Sequence, residues 1–209
     1  NDRATQIKIC SFANPHMRAF HFAWLGFFVA FLAWFSFAPL MPKIKEDIGV
    51  TDDEIWVANI CSVASTVVFR FAIGPLCDRY GGRLSMALVL CLFCIPVFVG
   101  GFVVNDGASL AIVRFFQGVI GCVFVPCQFW TAQMFAKNVV GTAQAITGGW
   151  GNLGGGVTQL LMVGVYSMMK SVTDGEMAWR SSFVFPAVII FVTGVSMALF
   201  SQDCPKGQY

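Results

Sequence analysis

The chain has 209 residues, of which 57% are hydrophobic and only 11% are charged, and its mean hydropathy is +0.73. A soluble domain carries roughly a quarter charged residues, so this composition excludes an ordinary soluble protein and indicates a chain that lies in a lipid bilayer. The net charge of +2 is too small to indicate a nucleic-acid-binding surface.

Six apolar stretches are long enough to cross a bilayer, since a membrane-spanning helix needs about 20 mostly apolar residues. They are His21–Leu40, Ile55–Leu76, Leu84–Val104, Leu110–Trp130, Val139–Met169 and Ser181–Gln202. We therefore predict an all-α membrane protein. A segment over 1–20 precedes a six-helix bundle over 21–202, and residues 203–209 begin a linker.

Short connections make neighbouring spans antiparallel, and spans one to three are predicted to repeat as spans four to six in inverted order. The basic residues favour a cytoplasmic N-terminus, because seven then lie inside and four outside. The inner seven are Arg3, Lys8, Arg18, Arg79, Arg83, Lys137 and Lys206, and the outer four are Lys43, Lys45, Lys170 and Arg180. The first 17 residues lack the features of a cleaved signal, and the missing initiator methionine predicts a fragment.

The second span carries Arg70 after some fifteen apolar or small residues, a depth from which its side chain cannot easily reach either surface. A charge held there costs about 2.5–3.5 kcal/mol on insertion scales. None of the six stretches contains Asp or Glu, so we expect an anionic substrate as the partner of Arg70. A planar oxyanion such as nitrate or nitrite suits the guanidinium fork. The alternative partner is a carboxylate from a C-terminal half outside this sequence.

A glycine-rich charged motif follows the second span and resembles the cytoplasmic loop signature of the major facilitator superfamily. Glycines allow a tight turn, and Asp78 is expected to pair with a cation or with a helix N-terminus, which would latch the inner side closed. The alternative is an ordinary charged turn. The residues assigned to this conformational motif are Gly74, Asp78, Arg79, Gly81 and Arg83.

The third span contains Cys91 and Cys94 at a metal-like spacing. A zinc site needs four ligands, and no second pair or histidine cluster lies near in the sequence, so we interpret both as packing thiols and predict no metal site.

The fourth span begins with a motif that resembles the fourth-helix motif of the same superfamily, from Arg114 to Gly118. Arg114 lies only a few residues inside its span. We therefore predict a structural role for Arg114 and Gln117, with the charge of Arg114 satisfied by backbone carbonyls or water near the outer surface.

The fifth span contains the string from Gly148 to Gly156, in which most residues are glycine. Glycines let membrane helices approach closely, and Gly151 and Gly155 have the spacing found at such contacts. One narrow face of this helix is small and polar, so it is predicted to line a path for a polar solute. That face carries Gly148, Asn152, Gly155 and Gln159.

These three motifs, in this order, resemble the nitrate/nitrite porter family of the major facilitator superfamily. The resemblance implies that the chain is the N-terminal half of a twelve-helix transporter. It also implies that Arg70, Asn152 and Phe124 contact the anion, and Gly148 is placed in the same site. Proton coupling or nitrate/nitrite exchange, a plasma-membrane location, a missing C-terminal half and an accessory subunit are further expectations.

Two other functions stay open from the sequence: a facilitator for an organic anion or another solute, and a sensor or half-size subunit that binds an anion without transporting it. An integral-membrane enzyme is disfavoured, because the spans lack clustered His, Asp or Glu for metal or acid–base chemistry. We predict no catalytic residue and no cofactor.

Overall fold

A computed structural model of the chain describes residues 2–173 and 175–207. The predicted linker residues 208–209 lie outside the described residues. The described part forms an all-α bundle, as predicted. Its helices are α1 (His16–Trp34), α2 (Met41–Ile48), α3 (Asp52–Tyr80), α4 (Gly82–Val103), α5 (Gly107–Gly118), α6 (Phe124–Met134), α7 (Val140–Lys170), α8 (Glu176–Ser182) and α9 (Val184–Phe200).

Five helical stretches in the described residues are long and apolar enough to cross a membrane, and they match five of the six predicted spans. They are His16–Ile48, Asp52–Tyr80, Gly82–Val103, Gly107–Met134 and Glu176–Phe200. The remaining predicted span is α7, which has 31 residues and is therefore long enough. Its glycines and its Thr, Asn and Gln residues lower its hydropathy, so composition alone does not mark it as a span.

The first span differs from its prediction at both ends. Helix α1 begins at His16, five residues before the predicted start of the span. After a 3-10 turn over Ala38–Leu40, the chain continues as the short helix α2, in which Lys43 forms an ion pair with Asp47. This segment was predicted as part of an external loop. The 3-10 turn and α2 each have a proline in their first turn, where the missing N–H is not needed.

Helices α3 and α4 meet at a single residue. Helix α3 begins with a capping box between Thr51 and Glu54 and ends at Tyr80, and the following Gly81 has a φ of 83°, which favours glycine. Helix α4 starts at Gly82, where a Cβ atom would lie 2.6 Å from the Trp130 Cβ. The predicted turn is therefore confined to Gly81, and Gly82 lets α4 approach α6 closely.

The fourth predicted span is divided into α5, a 3-10 segment over Val119–Val123, and α6. Two glycines in this region allow it to lie against α3. A Cβ atom on Gly118 would come within 2.0 Å of the Ser62 carbonyl oxygen, and one on Gly121 within 2.7 Å of Thr66 Cγ2. The close approach brings the Gly121 carbonyl toward the side chain of Arg70, which lies one turn after Thr66 on α3.

The most extensive helix pairs are α1 with α7, α3 with α5, and α4 with α9. In terms of spans, these are one with five, two with four, and three with six. Exchanging spans one to three with spans four to six converts the first pair into the second and leaves the third unchanged. The packing therefore follows the predicted inverted repeat.

Two arginines join the ends of the α4–α9 pair in a reciprocal way. Arg83, at the start of α4, donates from Nε to Asp203 Oδ2 at 3.0 Å and from Nη1 to the carbonyl of Ala198, both near the end of α9. Arg180, just before α9, donates to the carbonyls of Gly101, Phe102 and Val104 at the end of α4. We call these contacts the two arginine clamps.

Candidate functional site

Arg70 is half-buried in α3 and uses little of its hydrogen-bonding capacity. Its Nε and Nη2 both donate to one acceptor, the Gly121 carbonyl oxygen, at 3.4 Å. These distances are longer than the usual 2.7–3.2 Å for an N–H···O bond, so both bonds are weak. No ion pair to Arg70 is present in residues 2–173 and 175–207.

Phe124 lies directly beside Arg70. The guanidinium carbon is 5.4 Å from the centroid of the Phe124 ring, which is within the range of a cation–π contact. The ring is 36% exposed, so one part of it contacts the protein while another part faces outward. Arg70 and Phe124 thus form a charged and aromatic pair that is accessible from outside this chain.

Helix α7 reaches this pair through Phe27 of α1. The Phe27 and Phe124 rings are 5.6 Å apart, and a Cβ atom on Gly151 would lie 1.9 Å from Phe27 Cδ1. Asn152 follows Gly151 and is exposed, and its Nδ2 donates to the Gly148 carbonyl at 2.9 Å. Arg70, Phe124 and the Gly151–Asn152 segment therefore lie along one continuous set of contacts. No hydrogen bond joins Arg70 to Asn152 within the described residues.

The glycine run contacts α1 at positions that differ partly from the prediction. Gly151 touches the Phe27 ring, and Gly154 touches the α1 backbone, where a Cβ atom would lie 2.0 Å from the Phe28 carbonyl oxygen. Gly155 is looser, with 3.2 Å to the Phe35 ring. The close pair is therefore Gly151 and Gly154, one helical turn apart, rather than Gly151 and Gly155. Gly149 meets nothing within 4 Å.

Gly148 and a glutamine from α6 extend the polar side of α7. Gly148 is buried, and a Cβ atom there would lie 3.4 Å from Gln128 Nε2. Gln128 and Gln144 each donate to the other's backbone carbonyl, at 3.4 and 3.3 Å. Gln128 was not singled out from the sequence. The signal that could have identified Gln128 is its position one turn after Phe124 on the same helix.

Arg114, in contrast, is 6% exposed and well bonded. Its Nη1 donates to the Trp34 carbonyl and to Gln117 Oε1, both at 2.9 Å, and its Nη2 donates to Asn59 Oδ1 at 3.0 Å. Gln117 in turn donates to the Ala33 carbonyl. The two side chains therefore tie α5 to the last residues of α1, an arrangement that a structural role requires.

The charged motif runs from the last turns of α3 into the first turn of α4 and divides into an exposed and a buried part. Gly74 meets nothing within 4 Å, and Asp78 and Arg79 are exposed, with Arg79 over the Tyr80 ring at 5.2 Å. Arg83 is buried, and its carboxylate partner is Asp203, at the other end of the chain. The sequence prediction had named Asp78 as the pairing carboxylate of this motif.

The second arginine clamp was also missed, because Arg180 was counted as a loop cation. Arg180 is 7% exposed, and besides the three carbonyls it binds Asn105 Oδ1 at 2.9 Å and Glu176 Oε2 at 3.0 Å. The predicted inverted repeat offered a signal for the role of Arg180, because it relates span three to span six. An arginine at the start of span three has a counterpart at the start of span six.

Comparison with known proteins gives the family. The profile of the Major Facilitator Superfamily matches residues 23–207. The chain is 41% identical over 205 residues to high affinity nitrate transporter 2.7 of Arabidopsis thaliana, covering 98% of this chain and 41% of that protein. It is 39% identical over 208 residues to high-affinity nitrate transporter 2.3 of Oryza sativa subsp. japonica, covering 99% of this chain and 40% of that protein.

A bacterial relative extends the similarity. The nitrate/nitrite transporter NrtP of Nostoc punctiforme is 30% identical over 201 residues, covering 96% of this chain and 40% of that protein. The chain thus spans about two-fifths of the length of these curated relatives. The predicted resemblance to nitrate transporters is confirmed by these similarities. With its helical bundle and a family profile that covers most of its length, the chain belongs to the Major Facilitator Superfamily.

Proposed function

We propose that this chain supplies part of the anion path of a secondary transporter that carries nitrate or nitrite across a membrane by alternating access. The proposal rests on Arg70. It is a cation within a span whose hydrogen bonds, among the described residues, are two weak ones to a single carbonyl. An anion that accepts from the remaining N–H groups would offset the cost of holding this charge in the bilayer.

The chemistry of the site favours a small planar oxyanion. A guanidinium stays protonated and presents donors in a flat fork that matches two oxygens of nitrate or nitrite. Phe124 covers one side of the charge, and Asn152 adds a neutral amide on the next helix. A site built from arginine, amide and aromatic groups attracts an anion and offers it no carboxylate to repel it.

The remaining features of the proposal are supported by the length of the relatives, of which the chain spans about two-fifths, and by the distribution of basic residues. A second set of six helices would complete the site, and rocking of the two halves would expose Arg70 to each side in turn. We place the N-terminus in the cytoplasm and the protein in the plasma membrane. Coupling to protons and an accessory subunit belong to the proposal as partners to be tested in the intact protein.

The decisive experiment measures labelled nitrate uptake by the full-length protein in cells that lack their own nitrate transporter. Wild type should show saturable uptake. Arg70→Ala should abolish it at an unchanged amount of protein in the membrane, and Arg70→Lys should restore little of it, because an ammonium lacks the planar fork. Retained nitrate uptake in Arg70→Lys would contradict the proposed anion site.

Two controls make the result specific. Lys137→Ala removes a positive charge from an exposed loop position and should leave uptake unchanged. Competition by nitrite, chloride and small carboxylates then separates a nitrate site from a general anion site. If well-expressed wild type took up organic carboxylates but no nitrate, the transporter for an organic anion would replace the present proposal.

A further inference from the structure

His21 lies near the start of α1 and is held by two hydrogen bonds of opposite direction. The indole Nε1 of Trp24 is 3.0 Å from His21 Nδ1, and the carbonyl oxygen of Ser11 is 3.1 Å from His21 Nε2. An indole N–H can only donate and a carbonyl can only accept. Nδ1 therefore carries a free lone pair, and Nε2 carries the proton. These contacts require the neutral imidazole.

The imidazole joins the N-terminal segment to the bundle. The Phe12 ring stacks on His21 with centroids 4.3 Å apart, and Phe20 meets it edge-on at 5.3 Å. With the bond from Nε2 to Ser11, this stacking holds residues 11 and 12 over the start of α1. His21 is 8% exposed, so the neutral ring is largely covered by these partners.

Trp24 connects His21 to the glycine run of α7. Its ring meets Trp150 edge-on, with centroids 5.3 Å apart. Trp150 immediately precedes Gly151, whose backbone touches the Phe27 ring, and Phe27 in turn touches Phe124 beside Arg70. The hydrogen bond between His21 and Trp24 thus lies at one end of a series of contacts that leads to the proposed anion site.

The charged groups on the elements around His21 are mainly cationic. Arg18 precedes it by one turn on α1 and donates to the Phe200 carbonyl, and Lys8 is exposed on the N-terminal segment. Asp2 and Arg3 begin that segment, where Asp2 pairs with Lys206, and Lys137 is exposed before α7. Helix α7 contains no Asp, Glu, Lys or Arg from Val140 to Met169. The hydrogen bonds of the imidazole itself go to Ser11 and Trp24.

We propose that His21 is a positioning residue for transport: its neutral form holds Trp24 against Trp150, and its protonation releases this contact and slows the movement of the anion. Protonation places a second N–H on Nδ1, opposite the indole N–H, and two donors cannot bond to each other. Trp24 must then turn away, and the contact between α1 and α7 at Trp150 loosens. The effect on transport rests on the proposed function, whereas the effect on Trp24 does not.

The first test follows Trp24 directly in the purified full-length protein. Tryptophan emission is recorded between pH 8 and pH 5, the range in which histidine titrates, and the curve of Trp24→Phe is subtracted to isolate Trp24. Wild type should show one titration step. His21→Asn should show none, because an asparagine oxygen can accept the indole N–H and cannot be protonated in this range.

His16→Asn is the matched control, since His16 is the other of the two histidines in the sequence and its Nε2 is 2.6 Å from the Asp2 carbonyl oxygen. It should keep the wild-type step. A flat wild-type curve, or a step that persists unchanged in His21→Asn, would overturn the proposal. Neither outcome depends on which solute the protein carries.

The second test measures nitrate exchange in proteoliposomes with equal pH on both sides, which removes any driving force from a proton gradient. Wild-type exchange should fall several-fold from pH 7.5 to pH 5.5, while exchange by His21→Asn should stay near its neutral rate. Trp24→Phe gives a second route if His21→Asn does not fold, because without the indole N–H the rate should be independent of pH. Equal pH dependence in wild type and Trp24→Phe would contradict the role of His21.

The two tests distinguish failure of the proposed function from failure of the proposed role of His21. Absence of nitrate exchange at every pH would contradict the proposed function, and the emission titration would still decide the role of His21. If exchange occurred, was lost in Arg70→Ala and had the same pH profile in all histidine variants, the anion site would stand and the positioning role would be refuted.

Discussion

The six predicted apolar spans contain two arginines, and these differ in what surrounds their guanidinium groups. Arg114 is buried and makes three hydrogen bonds of 2.9–3.0 Å, whereas Arg70 is half-buried and makes two of 3.4 Å to one carbonyl. The same side chain therefore serves two purposes. The terminal nitrogens of Arg114 bond to neighbouring helices, although its buried Nε has no partner in the described residues. The two weak bonds of Arg70 leave most of its donors available to a ligand.

The difference arises from the end of a helix. The last carbonyl groups of a helix have no partner within it, and Arg114 and Gln117 take up those of Ala33 and Trp34 at the end of α1. Arg70 lies about three turns from the end of α3, beside a 3-10 segment that offers it the Gly121 carbonyl. The position of helix ends, rather than the kind of residue, separates the two arginines.

Removing Arg70 should have the largest effect. Hydrogen bonds to charged groups contribute about 1.5–3 kcal/mol each, so losing two to the anion should lower nitrate kcat/KM by about 100-fold or more. The thermal stability of Arg70→Ala should stay close to that of wild type. Labelled uptake and a melting curve on the same preparations measure both. A large fall in stability with normal uptake would reverse the comparison of the two arginines.

Arg114→Ala should show the opposite pattern. It leaves the Trp34 carbonyl, Gln117 and Asn59 without their partner, and an unsatisfied buried polar group costs about 1–3 kcal/mol. We expect a lower melting temperature and less protein in the membrane, with an unchanged KM for nitrate in the protein that folds. Arg114→Lys, the matched partner of Arg70→Lys, should retain most of the uptake. A raised KM would show that Arg114 also contacts the anion.

Gly151→Ala should disturb the packing of Phe27 against Phe124, beside Arg70, and leave the charge of Arg70 in place. The added methyl group meets the Phe27 ring, and overpacking of this kind costs about 1–3 kcal/mol. Uptake and stability should both fall. Gly149→Ala is the control, because its methyl group meets open space, and Phe27→Leu should partly rescue Gly151→Ala. If the double variant Gly151→Ala/Phe27→Leu shows no more uptake than Gly151→Ala alone, the loss in Gly151→Ala does not arise from its contact with the Phe27 ring.

Phe124→Leu should have the smallest effect. A cation–π contact at a partly exposed ring contributes about 0.5–1 kcal/mol, so the nitrate KM should rise by a few-fold while the maximal rate of uptake is largely kept. Phe116→Leu alters another exposed phenylalanine of the same predicted span and should leave the KM unchanged. Equal KM values for both variants would remove Phe124 from the site.

Much of this architecture could be predicted from local sequence. The placement of Arg70 within a long helix followed from the apolar residues around it, and the close approach at Gly151 followed from the glycine spacing. The contact at Gly154 could not be distinguished from one at Gly155, because neighbouring glycines have the same periodicity within the error of a helical wheel. Only the path of the α1 backbone past Phe28 separates them.

Contacts between distant segments were beyond reach of the sequence. Arg83 pairs with Asp203, 120 residues further along the chain, and nothing local favours Asp203 over Asp78. The 3-10 segment over Val119–Val123 was likewise hidden, because its residues are as apolar as a regular span and its geometry comes from packing against α3. Local patterns predict elements, whereas the choice among partners depends on how the elements pack.

The two arginine clamps have a mechanical consequence for the α4–α9 pair. Each clamp fixes the start of one helix to the end of the other, so a slide along the common axis would break ionic or carbonyl contacts at both ends together. The α4–α9 pair should therefore move as one rigid unit. Shape change in this bundle should therefore concentrate where α7 passes α1, because the described contacts there are made by glycines and uncharged side chains and can shift without breaking a charged contact.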